Sequence, residues 1–427
     1  MTTRRSRFRY FNIRKISELL LEFYLFQLII TTILRYLLNK IGISEGFFRE
    51  LVLWIFTSIP LLLVISFQQI IPKKSKTIFL VLILSIVYSI ISSYIIDYEN
   101  RYFLLRSGYG INRVLRPDAS VYAFLFFLLV DDYNSLYRIL KKVAIIYFIY
   151  HIVVLWIPSL YKGYWEDINY VGDLVKRNYS LSFGYSISFV CVLFMYYYIK
   201  EKKLIYLILN IFCYYLILTN GSRGALLISP IFFVLFLISV IRSKNEKYKH
   251  IKILLLLLLI TVIIIFGKTL LYRFMGFLYN NGINSRNIYS FVSEDIRNDT
   301  GRSTIWNEVI EAINHNFVVG YGFFGDRKFV FPYHYAAYSH NIFLELICSY
   351  GILGICFSLL LVLISIYMLF FFKNTQWREL FIIFFSVSLQ LLLSYSFWYV
   401  FEFWAMMSIA VRCIILKNNG ENNDKLH

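Results

Sequence analysis

The chain has 427 residues, 59% of them hydrophobic and only 16% charged, with a formal net charge of +18 at pH 7. A mean hydropathy of +0.64 excludes an ordinary water-soluble domain. It also excludes nucleic acid as the partner of the positive charge, because a basic soluble surface needs polar faces that these apolar runs do not leave. The composition fits an all-α polytopic membrane protein whose lysines and arginines are retained in cytoplasmic loops.

A helix needs about 20 apolar residues to cross a bilayer, and about twelve stretches come close to that. They lie near 17–38, 51–71, 77–96, 119–131, 143–160, 180–199, 204–219, 224–241, 252–271, 351–371, 379–396 and 399–416. The fourth is the shortest, cut off by Asp131 and Asp132. The resulting plan is an N-terminal bundle over 1–272 with about nine spans, a large loop over 273–339, further spans over 340–416 and a polar tail over 417–427. The basic N-terminus runs into a full-length span with no small-residue cleavage site, so the first span is expected to stay as an anchor.

Loop charge sets the orientation. Arg4, Arg5, Arg7, Arg9, Arg14 and Lys15 precede the first span, which keeps the N-terminus in the cytoplasm. Alternation then puts short basic segments inside: Lys73 to Lys76, Arg138 to Lys142, Lys200 to Lys203, Arg242 to Lys249, and Lys373 with Arg378. It also puts the C-terminus in the cytoplasm. The exception is the stretch from Asn100 to Arg116, with Arg101, Arg106, Arg113 and Arg116 on the outer side. Either the count fails there, or these arginines face an anionic substrate or lipid head groups.

The turn Thr219 to Gly224 and the loop 273–339 then share the outer face. Loops of that length are usually functional. Within it, Ile305, Trp306, Val309, Ile310 and Ile313 recur at helical spacing and predict an amphipathic helix lying on or just above the membrane, stopped by Gly320-Tyr321-Gly322.

Three polar corners on this face can carry chemistry. Arg223 opens a span, with Ser222 as its expected N-cap and glycines beside it, an arrangement suited to a phosphate. Arg302 follows Gly301 at the start of the predicted loop helix. His340, with Ser339 as the expected cap and Asn341 beside it, precedes the tenth span, and histidine is the side chain best suited to take a proton near neutral pH. Glu345 and Glu402 are carboxylates near the outer ends of spans; either can orient His340 or neutralise an arginine. His151 reads as a packed, bundle-facing residue. His315 and His334 share the outer loop without an HxxxH or HExxH spacing, so no metal site is expected. Cys191, Cys213, Cys348, Cys356 and Cys413 lie in apolar runs and read as core packing.

The stretch His340-Asn341, nine residues, then Gly351-Ile352-Leu353-Gly354 resembles the signature of the O-antigen ligase and O-antigen polymerase family of bacterial envelope proteins. Gly301-Arg302 to Trp306, Gly320-Tyr321-Gly322 and Ser222-Arg223-Gly224-Ala225 are similar to that family's other shared elements, in the same order. The likeness covers roughly residues 200 to 371; the earlier spans resemble the family only in number and hydropathy. The resemblance implies a metal-independent, membrane-embedded glycosyltransferase of the bacterial cytoplasmic membrane, with no cofactor, acting on undecaprenyl-diphosphate-linked glycans as donor and acceptor. It implies that Arg223 and Arg302 bind the donor diphosphate and that His340 helps deprotonate the acceptor hydroxyl. Ser222, Asn341 and Glu345 join Arg223 and Arg302 as candidate substrate-binding residues, and a chain-length regulator and a flippase are candidate partners.

Polymerisation of lipid-linked repeat units into O-antigen, capsule or exopolysaccharide is the leading expectation. The close alternative is a ligase that moves the glycan to lipid A-core. A lipid-linked-oligosaccharide flippase is the different class; it predicts midplane charges and broken helices in repeated halves, whereas the polar residues here cluster at one face.

Overall fold

The computed structural model describes residues 2–43, 46–66, 73–106, 110–168, 174–241, 269, 272–281, 287–289, 301–334 and 337–416. Most of the ninth expected span, near 252–271, the basic segment Arg242 to Lys249 and the tail 417–427 lie outside them. The described chain is almost entirely helical, as a bilayer requires: with no water in its apolar layer, backbone N–H and C=O groups must be paired within the segment. The helices are α1 (Thr2–Lys40), α2 (Phe47–Ser66), α3 (Lys73–Ile96), α4 (Asn100–Leu105), α5 (Ile111–Leu115), α6 (Tyr122–Leu129), α7 (Tyr133–Tyr150), α8 (Ile157–Lys162), α9 (Leu181–Glu201), α10 (Leu204–Asn220) and α11 (Arg223–Ile241), followed by α12 (Arg302–His315), α13 (Arg327–Val330), α14 (Ile342–Tyr350), α15 (Ile352–Ile366), α16 (Thr375–Ser388) and α17 (Phe401–Val411). One exception to the all-α reading is a short antiparallel pair, β1 (Trp165–Ile168) and β2 (Leu174–Arg177).

Among the described residues, 7 helices are long and apolar enough to cross a membrane, and α10 is a shorter apolar helix. The central pillar is α9. Its span is 72% buried, against 17% for Lys74–Ile95 in α3, so α9 faces protein and α3 faces lipid. Lipid tails are as apolar as leucine, so helix pairing here rests on packing and on interhelical hydrogen bonds rather than on hydrophobic transfer. Asn210 of α10 donates to the Cys191 carbonyl of α9 at 2.8 Å, worth roughly 0.6–2 kcal/mol in a bilayer.

The expected fourth span is α6, with every residue from Ala123 to Leu129 buried. Eight helical residues rise only about 12 Å, yet this segment carries the chain across the bundle. Before it, Asn100 donates to the Tyr321 carbonyl at 2.8 Å, beside the outer loop. After it, Asp132 pairs with Arg14 at the opposite end. Sheathed by α1, α3 and α17, the segment needs no lipid-length helix.

The two ends of the bundle differ in kind. At the end holding Arg14, basic residues meet acids: Lys142 with Glu22 at 2.6 Å, Lys141 with Glu201 at 2.6 Å and Lys200 with Glu379 at 2.7 Å. At the other end, the starts of α9, α11, α14 and α17 gather under the loop that holds α12 and α13. Four of the five cysteines are buried as expected; Cys356 is exposed on α15.

Candidate active site

The Arg223 corner is shaped by a close approach of α9. Gly184 of α9 lies against Gly221, and a Cβ on Gly224 would meet the Tyr185 hydroxyl at 2.4 Å. Ser222 Oγ accepts from the Ala225 N–H at 3.3 Å, the expected N-cap of α11. Arg223 is half-buried at the first position of that helix. The buried Asn287 amide donates to the Leu218 and Gly221 carbonyls at 3.2 and 3.1 Å, tying the loop to the end of α10.

The Arg302 corner opens α12 after Gly301, whose φ of 81° is left-handed. The apolar stripe of α12 does not rest on lipid as the sequence suggested. Ile305, Val309, Ala312 and Ile313 pack with Val330 and Cys348, beside Leu344 and Ile347. The reason is that α14, nine residues long, has an apolar face of its own to cover.

The glycine motifs fix where α14 and α15 meet. Gly351 breaks the two helices with φ 55° and ψ −128°, a conformation open essentially to glycine alone. A Cβ there would meet the Val318 carbonyl oxygen at 2.4 Å. The Gly320-Tyr321-Gly322 turn docks on this break through Tyr321 N–H to Cys348 O at 2.9 Å and Gly322 N–H to Ser349 O at 2.8 Å. These motifs are backbone-on-backbone joints, not ligand cradles.

Those joints, with a buried ion network, position His340. Arg327 is 2% exposed and Glu345 1%. Arg327 donates to both Asp326 carboxylate oxygens at 2.9 and 3.0 Å, to Glu345 Oε1 at 2.8 Å and to Ser396 Oγ at 3.0 Å. Burial opposes the Arg327 charge, but Asp326 and Glu345 outweigh it and hold the guanidinium protonated. Asp326 in turn accepts from the Ser339 N–H at 2.8 Å, and Trp306 Nε1 donates to the Ser339 carbonyl at 2.9 Å. The cap of α14 is Asn341 rather than Ser339: its side-chain oxygen accepts from Phe343 and Leu344 N–H at 3.0 and 3.3 Å. Pinned on both sides, His340 takes φ 55°, a strained value for a non-glycine residue that costs on the order of 1–3 kcal/mol.

His340 is 8% exposed, and its Nδ1 is buried with no hydrogen-bond partner. Its ring meets His334 and Tyr338 edge-on, with centroids 4.7 and 4.5 Å away. Burial first, then His334, Arg302 and Arg327, push its pKa well below the ordinary histidine value. Burial, followed by Arg177 and Arg302, lowers His334 to about 4. Both imidazoles are therefore neutral near pH 7.

Arg302 is the common neighbour. Its charge acts on His334, on His340 and on Tyr185. Tyr185 also hydrogen-bonds Ser222, beside Arg223, and Ser394 Oγ at 3.0 Å. The structure thus brings Arg302 and His340 together and links them through Tyr185 to the Arg223 turn. Of the other candidate ligand-binding residues, Ser222 and Asn341 serve as helix caps, and Glu345 is buried in an ion pair with Arg327. Glu402 lines a cavity together with His151, Tyr185 and Tyr399.

Sequence reasoning missed Asp326, Arg327, Tyr185 and the loop Ser394-Tyr395-Ser396, and it weighed His334 only as an outer-loop histidine without metal spacing. The first two carry a signal: one acid and two bases, Asp326-Arg327-Lys328, flanked by Phe323, Phe324 and Phe329. The 394–396 loop is polar only through hydroxyls and reads as continuous span.

This is a polytopic membrane protein with a candidate arginine and histidine site at one end of the bundle. Residues 207–359 match the family model described as O-antigen ligase, a range that takes in Arg223, Arg302, His340 and the glycine joints. The match supports the O-antigen ligase and polymerase family and, with it, glycosyl transfer of the ligase or polymerase type. No curated protein and no solved structure matches the chain.

Proposed function

We propose that the chain polymerises undecaprenyl-diphosphate-linked oligosaccharide repeat units at the outer face of the cytoplasmic membrane. The observation that carries this reading is the placement of the Arg302 cation beside His340, a buried imidazole kept neutral. Arg223 and Arg302, each at a helix N-terminus, hold the donor diphosphate and offset the charge that develops as it leaves. His340 accepts the proton of the acceptor hydroxyl, whose oxygen bonds to the anomeric carbon of the donor sugar while the bond from that carbon to the phosphate oxygen breaks. Undecaprenyl diphosphate departs as the anion. A base beside phosphate tends to be protonated; burial and the neighbouring cations counter that tendency.

The N-terminus and the ion-paired end lie in the cytoplasm in this reading, in line with the basic loops. The ligase reading is favoured by the wording of the family description, O-antigen ligase. Glycan analysis of a deletion strain separates the two. A single repeat unit on lipid A-core is the expected result; full-length polymer stranded on undecaprenyl diphosphate would overturn the polymerase reading in favour of the ligase.

A further inference from the structure

A polar cavity of about 460 Å³ lies in the bundle, and two of its lining residues, Tyr185 and Tyr399, also belong to the network around Arg302 and Arg327. Its size is that of a small-molecule cleft, which runs about 300–1,000 Å³. Its walls come from α1, the arginine-bearing loop that ends at Arg116, α7, α9 and the start of α17. The helix of α7 continues as a π turn over His151–Trp156, so the helix is widened where His151 meets the cavity; such turns are frequent at functional sites. His151 Nδ1 donates to the Tyr147 carbonyl at 2.7 Å.

The lining suits a phosphorylated sugar. Arg35, Arg113 and Arg116 supply three cations. Arg116 is matched by Asp118 in a two-pronged pair, with one contact at 2.6 Å. Arg113 stacks on Tyr399 at 4.6 Å, and Tyr399 bonds Arg327 of the His340 network. Gln27, Gln390 and Glu402, with tyrosine rings and hydroxyls, offer the amides, carboxylate and aromatic faces that hold sugars. The position suits a lipid-linked ligand, because Arg35 lies on α1 among the exposed Ile33, Tyr36 and Leu37.

We propose that this cavity is a second binding site for a lipid-linked sugar phosphate, with the phosphates on Arg35 and Arg113 and the first sugar within. The proposal rests on the polymerase reading, in which donor and acceptor are both lipid-linked, and it assigns the acceptor to this cavity. It gives the outer arginine loop a task.

Native mass spectrometry of the purified full-length chain with undecaprenyl diphosphate tests it by counting. The intact chain should bind two molecules. Arg35→Gln with Arg113→Gln should lose one of them, its affinity falling by about tenfold or more, as loss of charge-assisted hydrogen bonds implies. Arg223→Ala with Arg302→Ala should lose the other. An intact chain that saturates at one molecule overturns the second site, as does retention of two by the Arg35→Gln, Arg113→Gln variant. Phosphatidylglycerol filling the second position equally well also overturns it, by showing an ordinary anionic-lipid site. Retention of two by the Arg223→Ala, Arg302→Ala variant instead overturns the donor site and leaves the cavity assignment standing. Unchanged melting temperatures for both variants exclude misfolding as the cause.

Discussion

Arg302 and Arg327 belong to the same loop and sit in opposite surroundings. Arg327 is buried between Asp326 and Glu345. Arg302 is half-buried, and its charge acts on His334, His340 and Tyr185. A guanidinium sandwiched between carboxylates has its charge consumed within the fold. One beside neutral imidazoles lowers the proton affinity of a nearby base. Chemically identical side chains thus divide into a strut and a candidate ligand for phosphate, and the difference lies in what is packed against them.

The largest expected effect separates the two roles. His340→Gly relieves the left-handed strain at φ 55°, so it should leave the melting temperature unchanged or slightly raised, yet it removes the base. Transfer activity should fall about 10²- to 10⁴-fold, as measured by polymer length on membranes. Activity near normal would remove His340 from the chemistry. Arg302→Ala should behave in the same way, with loss of activity and an intact fold.

Arg327→Ala should do the reverse. Leaving Asp326 and Glu345 buried without their cation costs about 3–5 kcal/mol, so the chain should melt lower or be degraded, and activity should track the amount of folded protein. If folded Arg327→Ala is instead abundant and inactive, the strut assignment fails. Gly351→Ala belongs to the same class, because its Cβ has no room beside the Val318 carbonyl.

How far this contrast is legible in the sequence depends on the forces involved. Hydropathy identifies the long helices because a bilayer demands length, but α6 escapes that rule, being sheathed by protein. The motif glycines stand out in the sequence, although their task, fitting the Gly320 turn onto the Gly351 break, depends on two segments meeting in space. Arg223, Arg302 and His340 are marked by their positions at helix starts. The burial that keeps His340 neutral is invisible in the chain order, as are Tyr185, which links the corners, and the α16 to α17 connection, where Ser394 and Ser396 hide in apolar sequence. The amphipathic pattern of α12 is real, but periodicity cannot say whether lipid or α14 covers its apolar face.

Acid should reveal the imidazoles next. The folded-state pKa of His334 is lowered to about 4 and that of His340 is also lowered, whereas both titrate near 6.5 when unfolded. The unfolded chain therefore takes up more protons below pH 6.5, and the stability these groups contribute is complete above that value and is lost as pH falls, for His334 toward about 4. His334→Gln should move the acid-unfolding midpoint downward. A midpoint that does not move would show that His334 is protonated at little cost in the fold.

The smallest effect tests the cap. Asn341→Ala removes the acceptor for Phe343 and Leu344 N–H and should cost about 1 kcal/mol, whereas Asn341→Asp or Asn341→Ser, which keep a capping oxygen, should cost less. Because the cap borders His340, this series also asks whether Asn341 touches substrate. If capping is its whole task, activity should follow stability across Ala, Ser and Asp. If instead Asn341→Ser keeps the melting temperature and still loses activity, the side-chain amide has a role beyond the helix end, and the division between struts and ligand-facing residues would have to be redrawn at that position.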